Sequence, residues 1–403
     1  MPFKLKIKTV DGSELPDPGQ VTIREQLGQP RTFTITYSED ICEGDYQLLK
    51  NPAFNPLKEI AISVVTDWGE MYLLKGVVQG QQISIKYGGQ GSQLQITGSD
   101  NLVKLGWETK KKSWEGEKWA KVLTAGNIEQ IFKNEQHEFD QFSIFKNAGT
   151  HESGPEAPTQ NGQDETEKVH LHFKEQVVQR EDDLSFLQRL ARQKGMYVWL
   201  SYDEGGKEVV HFDQLPLQET PGLELSIAGE DHNIGECEIN WDAGRPTSIQ
   251  QKQIDRRNHQ VNPRRTGEAP QPKLGDVTLK CLTSGIISAV LPGMASDTED
   301  MGDRNGAALN EAEWFIKASC STTFEQLCKQ GAPKIVHAHE TVQLKGVGSR
   351  HEGTYLVAGV THTIDAESYK LQIELQRNAW SASSWEKVIC TVTEAIFEEA
   401  ESK

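Results

Sequence analysis

Several residue groups in this chain could do chemistry. His339-Glu340-Thr341-Val342-Gln343 opens like the His-Glu-x-x-His motif, in which two histidines one helical turn apart hold zinc and the glutamate activates water. Gln343 stands where the second histidine belongs, and the segment reads as a strand, whereas the motif needs a helix. His170 with His172, and His337 with His339, have strand spacing that puts both imidazoles of a pair on one sheet face. Each pair offers two corners of a metal site, and the sequence supplies no evident third ligand, so exposed or hydrogen-bonded strand histidines are the plainer reading. Glu181-Asp182-Asp183 offers paired carboxylates for acid–base work. The same residues at a helix start are explained by capping and the helix dipole.

The remaining motifs are weaker. Gly88-Gly89-Gln90-Gly91 and Gly346-Val347-Gly348-Ser349-Arg350 are not followed by helices, so neither has the geometry that cradles a phosphate. Lys110-Lys111-Lys112-Ser113-Trp114 is a basic triplet beside an aromatic ring, read as a solvated strand or rim in an otherwise acidic chain. Tryptophans such as Trp68, Trp114, Trp199, Trp241 and Trp380 could stack on sugars, but core and interface packing is their commoner use. No nucleophile elbow, phosphate loop or kinase motif occurs. The expectation is therefore no enzyme, with no catalytic, cofactor-binding or metal residue assigned and no cofactor.

The elements that would position these residues are mostly strands. Phe3, Leu5 and Ile7 alternate with lysines, and the period of two continues through Val21-Thr22-Ile23, Phe33 to Tyr37, Ile62 to Val65, Met71 to Val78, Ile83 to Ile85 and Leu94 to Ile96. Thr124 caps a helix with Ile128, Ile131 and Phe132 on its apolar face. Residues 147–168 hold almost no large apolar side chain and read as a mobile loop. A strand over 169–178 follows, then a helix capped by Asp182 or Asp183 with Leu184, Leu187, Leu190 and Ala191 on one face, stopped by Gly195. Tyr197 to Leu200 and Val209 to Phe212 form a hairpin across a turn at 203–207. Residues 256–273 read as a polar loop, and 305–330 as helical, with Ala308, Ala312, Phe315 and Ile316 inward. Val342 to Leu344, a long strand over 354–363, a turn at 365–368 and the alternation Tyr369, Leu371, Ile373, Leu375 close the β pattern. Trp385 to Ile389 and Ala395 to Ala400 suggest a short strand and helix.

The chain has 403 residues, enough for two to four domains. Its formal charge of −17 opposes a main role in coating nucleic acid or an anionic bilayer, since both need a basic footprint. No apolar run approaches the ~18 residues of a membrane span, and no signal peptide opens the chain. Six cysteines without a Cys-x-x-Cys pair suggest free thiols and cytoplasmic synthesis.

Three ordered segments carry a resemblance. Gln179-Arg180-Glu181-Asp182-Asp183-Leu184-Ser185-Phe186-Leu187-Gln188-Arg189-Leu190-Ala191, followed by Gly195-Met196-Tyr197, resembles the phage late control D family and the N-terminal half of the VgrG spike proteins of type VI secretion. Val342 to Arg350, then Gly353-Thr354-Tyr355-Leu356-Val357, Val360-Thr361-His362, Tyr369 and Arg377-Asn378-Ala379, is similar to the terminal strands of that family. Leu73-Leu74-Lys75-Gly76-Val77-Val78, with Leu94 to Asp100 and Leu105, is similar to its first-domain strands.

The resemblance implies a mainly β fold with α+β insertions and two tube-like β-barrel domains per chain, three chains forming a pseudo-six-fold ring. Its implied division is 1–106 as the first barrel, 107–217 as an inserted α+β domain, 218–260 with 335–380 as the second barrel, 261–334 as an insertion with a helix, and 381–403 as an extension. It implies a structural baseplate hub of a contractile injection system or phage tail, adapting a six-fold inner tube to a three-fold spike. The short extension implies that the spike is a separate chain. Implied partners are a homotrimer, the inner tube protein, the spike and other baseplate proteins such as a LysM-type adaptor, with assembly into a phage tail or injection-system baseplate. A carbohydrate- or cell-surface-binding β-rich module is the alternative, carried by the tryptophans. A metal hydrolase using the paired histidines comes third.

Overall fold

Lysines alternating with apolar residues make β1 (Lys4–Thr9), which turns Ile7 inward and lays its lysines along the surface. In the computed structural model the described residues are 3–38, 48–86, 91–114, 124–133, 137–146, 177–254, 261–283, 287–292, 298–330 and 334–382. The mobile loop expected at 147–168, His170 with His172, most of the strand expected at 169–178, Gly88 to Gln90 and the elements expected beyond Trp385 lie outside them.

The same alternation forms β2 (Gln20–Gln26), β3 (Thr32–Ser38), β4 (Glu59–Thr66), β5 (Gly69–Ser84) and β6 (Gln93–Asp100). Next come β7 (Lys112–Trp114), α1 (Ala125–Phe132), β8 (Gln141–Ile144), β9 (Val177–Gln179), α2 (Asp183–Gln193), β10 (Tyr197–Tyr202) and β11 (Glu208–Asp213). The remainder is β12 (Leu223–Ser226), β13 (Glu236–Trp241), β14 (Ser248–Ile254), β15 (Val261–Thr266), β16 (Val277–Thr278), α3 (Leu279–Thr283), β17 (Ser288–Val290), α4 (Thr298–Glu313), β18 (Ile316–Thr323), α5 (Phe324–Leu327), β19 (Thr341–Lys345), β20 (Gly353–Asp365), β21 (Tyr369–Arg377) and β22 (Ala379–Trp380).

Among the described residues twelve strands share one sheet, in the order β1-β4-β5-β6-β3-β2-β20-β21-β18-β13, with β19 beside β20 and β12 beside β19. β20 joins the two halves. One of its edges takes β21 along most of its length. The other edge takes β19 at residues 353–356 and β2 at residues 359–365, so β19 and β2 lie end to end. A register shift between Val357 and Gly359 marks the change of partner. One apolar core runs under both halves, uniting Ile23, Phe33 and Ile35 with Leu344, Tyr355 and Ile373.

The α+β unit has its own core of Leu102, Trp114, Phe132, Phe186, Leu190, Val198 and Phe212, among others. Thr124 caps α1, and Ile128, Ile131 and Phe132 are its buried residues. Asp182 caps α2, and Gly195 takes φ 66° where the helix ends. A third layer pairs β15-β14-β17 under α4, with Ile249, Ala269 and Leu309 between them.

Three expectations are corrected. The helix expected over 305–330 ends at Glu313, and Ile316 to Thr323 is β18, inside the main sheet between β21 and β13. Its inward residues, Ile316, Ala318, Cys320 and Thr322, follow a period of two that small side chains make faint. The loop expected over 256–273 contains β15. Pro263 is tolerated there because β15 is an edge strand with one partner. Not every cysteine is a free thiol: Cys237, Cys320 and Cys328 are, but Cys281 is disulfide-bonded. Cysteines without close sequence spacing still pair when the fold brings their Cα atoms together.

Candidate functional site

Where β2 abuts β19 along β20, the alternation of β2 turns Val21, Ile23 and then Glu25 toward the core. A carboxylate thus occupies an apolar position, 2% exposed, and must find partners. Its Oε1 lies 2.9 Å from His337 Nδ1 and 3.4 Å from His362 Nε2. Its Oε2 accepts the Ala338 N–H at 3.1 Å and faces Arg31 Nε at 3.4 Å. Burial pushes the Glu25 carboxyl upward, but Arg31, His337 and the hydrogen bonds outweigh it and hold the group well below the usual carboxylate range. His362 is fully buried on β20, with Nδ1 3.0 Å from the Tyr369 hydroxyl, while its Nε2 makes no hydrogen bond among the described residues.

Arg31 carries the network into the α+β unit. Its Nη1 donates to the Leu73 carbonyl at 2.8 Å, and its guanidinium lies over the Tyr202 ring, 5.3 Å from the centroid. The Arg31 N–H donates to Asp100 Oδ2 at 2.8 Å, and the other oxygen of Asp100 accepts from Leu102 N–H. Burial raises the Asp100 carboxyl to about 7.

The two histidines of the 337/339 pair go separate ways. His339 has φ 73°, and its Nε2 accepts the Gly28 N–H at 2.9 Å. Its ring stacks on Trp199 at 4.7 Å and 8°, and the other face of Trp199 stacks on His211 at 4.4 Å and 4°. Burial lowers His339 to about 3 and His211 to about 4, so both rings are neutral near pH 7. The sandwich fastens β10 and β11 to the segment before β19. The Val357 N–H donates to the Glu340 carbonyl, and Gln343 lies in a strand, so the zinc-hydrolase geometry is not formed.

The other sequence candidates are accounted for by local contacts. Asp182 accepts the Ser185 N–H, Glu181 pairs with Arg189, and buried Asp183 accepts from Gln179 and pairs with Lys110. Lys112 lies over Trp114, so two of the three clustered lysines are engaged within the chain. Gly346 and Gly348 turn the chain after β19 with positive φ. Trp114 stacks on Phe186, and Trp380 packs near Phe315; with Trp199 these are core residues. Trp68 and Trp241 are exposed, one in the β4–β5 turn and one on the edge strand β13.

His337 and His339 are each hydrogen-bonded, the plainer of the two readings of that pair, but Glu25, the partner of His337, belongs to no sequence motif. A glutamate at the third inward position of β2, after Val21 and Ile23, was the available signal.

No protein-family model and no curated protein sequence matches this chain. Solved structures do. The 43 kDa tail protein of prophage MuSo2 from Shewanella oneidensis has a TM-score of 0.63 at 12% identity, over 94% of this chain and 99% of that one. The tail protein from Neisseria meningitidis MC58 has a TM-score of 0.57 at 13% identity, over 94% and 97%. The Escherichia coli c3393 protein, a component of the type VI secretion system with structural similarity to the bacteriophage T4 tail proteins gp27 and gp5, has a TM-score of 0.52 at 16% identity, over 94% and 77%. The fold of this chain is the mainly β fold of those proteins.

Proposed function

We propose that this chain is a structural component of a phage tail or injection-system baseplate, and within it a hub. Three copies, each with two tube-like β-barrels, form a ring that mates with a six-fold inner tube on one side and a spike on the other. The observation that carries this reading is the likeness to two tail proteins over nearly the whole of both chains. The chemistry of the buried junction fits it. Glu25, Arg31, Asp100, His339 and Trp199 meet partners from separate strands, which serves rigidity rather than turnover. On this reading the chain is not an enzyme and is built into the particle beside other baseplate proteins, a LysM-type adaptor among them. Among the described residues no helix is long and apolar enough to cross a membrane.

Light scattering and electron imaging of the purified chain, alone and mixed with its tube and spike proteins, test the proposal. A three-fold ring capping a six-fold tube is the expected result. A monomer in every mixture counts against it. Strong, specific binding on a glycan array with no tube partner would favour the carbohydrate-binding alternative, for which Trp68 and Trp241 are the exposed rings to substitute.

A further inference from the structure

We propose that Glu25, His337 and His362 form a binding site for a divalent transition-metal cation of the zinc class. Two imidazoles and one carboxylate are a donor set that such ions take. The three donor atoms lie within 4.8 Å of one another. His337 Nδ1 is 2.9 Å and His362 Nε2 3.4 Å from Glu25 Oε1. Two donors at ~2.0–2.1 Å from a tetrahedral zinc ion stand about 3.3 Å apart, so the two imidazole-to-carboxylate spacings are close to those an ion would impose.

A second, independent observation points the same way. His362 is fully buried, and its Nε2, aimed at Glu25 from 3.4 Å, makes no hydrogen bond among the described residues. The Tyr369 hydroxyl sits 3.0 Å from His362 Nδ1. With the proton on Nδ1 and donated to that hydroxyl, the Nε2 lone pair faces the carboxylate, and a cation between them satisfies both. Outer contacts hold the carboxylate in place: Ala338 N–H and Arg31 take Oε2 and leave Oε1 toward the histidines. The His337 side chain is 21% exposed, which gives an ion a route from solvent and a fourth position for water. The three residues come from β2, from the segment leading into β19 and from β20, so a bound ion would staple the seam between the two halves of the sheet.

The test uses the full chain, stripped with chelator and desalted. Zinc is added, and bound metal is measured after gel filtration along with the thermal midpoint. The expected result is one retained equivalent per chain and a midpoint raised by about 2 °C or more at saturating zinc. His337→Ala and His362→Gln should each weaken binding at least tenfold and abolish the shift, with circular dichroism confirming folding. His170→Ala/His172→Ala should leave both readouts unchanged. Failure of the unaltered chain to retain an equivalent overturns the proposal. So does retention unaffected by His337→Ala, the partly exposed position least at risk of unfolding, or loss caused instead by the His170/His172 variant.

Discussion

A buried side chain with one unmet polar atom reports its environment through pH. Glu313 ends α4, its Oε2 is buried without a hydrogen bond, and burial raises its carboxyl from the ordinary 4.5 to about 7. The folded protein therefore favours the neutral acid. Below about pH 4.5 both folded and unfolded chains hold the proton, and the site costs nothing. From there to about pH 7 the unfolded chain gives up its proton first, so stability falls with rising pH and stays lower above that range. Glu313→Gln removes the titration. The variant should match the parent at pH 4.5 and exceed it by about 1–2 kcal/mol at pH 8 in urea unfolding. Equal stability offsets at both pH values would contradict the burial argument.

At the scale of elements, close backbone approach fixes where β5 crosses β6. A Cβ built on Gly98 would sit 2.0 Å from the Val77 carbonyl oxygen and 2.5 Å from Phe33 Cζ. The phenyl ring has some freedom to move, but the paired carbonyl does not. Gly98→Ala should therefore cost about 1–3 kcal/mol, read from the denaturant midpoint. Gly126 in α1 is the control: a Cβ there meets nothing within 4 Å, so Gly126→Ala should stabilise by up to about 1 kcal/mol. Gly98→Ala with parental stability would mean that β5 and β6 can separate without loss.

The element scale also shows what a sequence can reveal. Asp182 and Thr124 were legible as caps because a cap interaction spans three residues, and Tyr197 to Phe212 as a hairpin because its pairing is local. The strand β18 was not legible, because Ala318, Ser319, Cys320 and Ser321 carry little hydrophobic contrast and lie between β21 and β13, which the chain reaches from both directions. The junction was least legible of all. Glu25 and His337 stand 312 positions apart and meet only because β2 and β19 share one edge of β20. The Trp199 sandwich was hidden for the same reason, since its two histidines arrive from different layers.

For the whole molecule, the sheet order has an energetic consequence. β2 pairs with β20 over seven residues, from Gln20 opposite Asp365 to Gln26 opposite Gly359. Beneath that seam one core mixes side chains from both halves, and Phe3 packs edge-on against Tyr369 and Phe324. Separating the halves would expose an unpaired edge on each and open that shared core to water, which removes the main source of stability from both. The α+β unit differs, because it holds a core of its own and touches the sheet through the polar junction, the ring sandwich and a small apolar cluster in which Tyr197 packs with Leu27 and Leu356. Hydrogen exchange should therefore report one common opening free energy for amides of β3 and β21, one from each half. Amides in β10 and α2 should exchange through a separate, lower-energy opening. Trp199→Ala should lower that second free energy by about 1–3 kcal/mol while leaving the first within about 0.5 kcal/mol, because the sandwich couples the layers without supporting the seam. Distinct opening energies for β3 and β21 would instead mean that the halves fold as two units, and that the shared core contributes little to either.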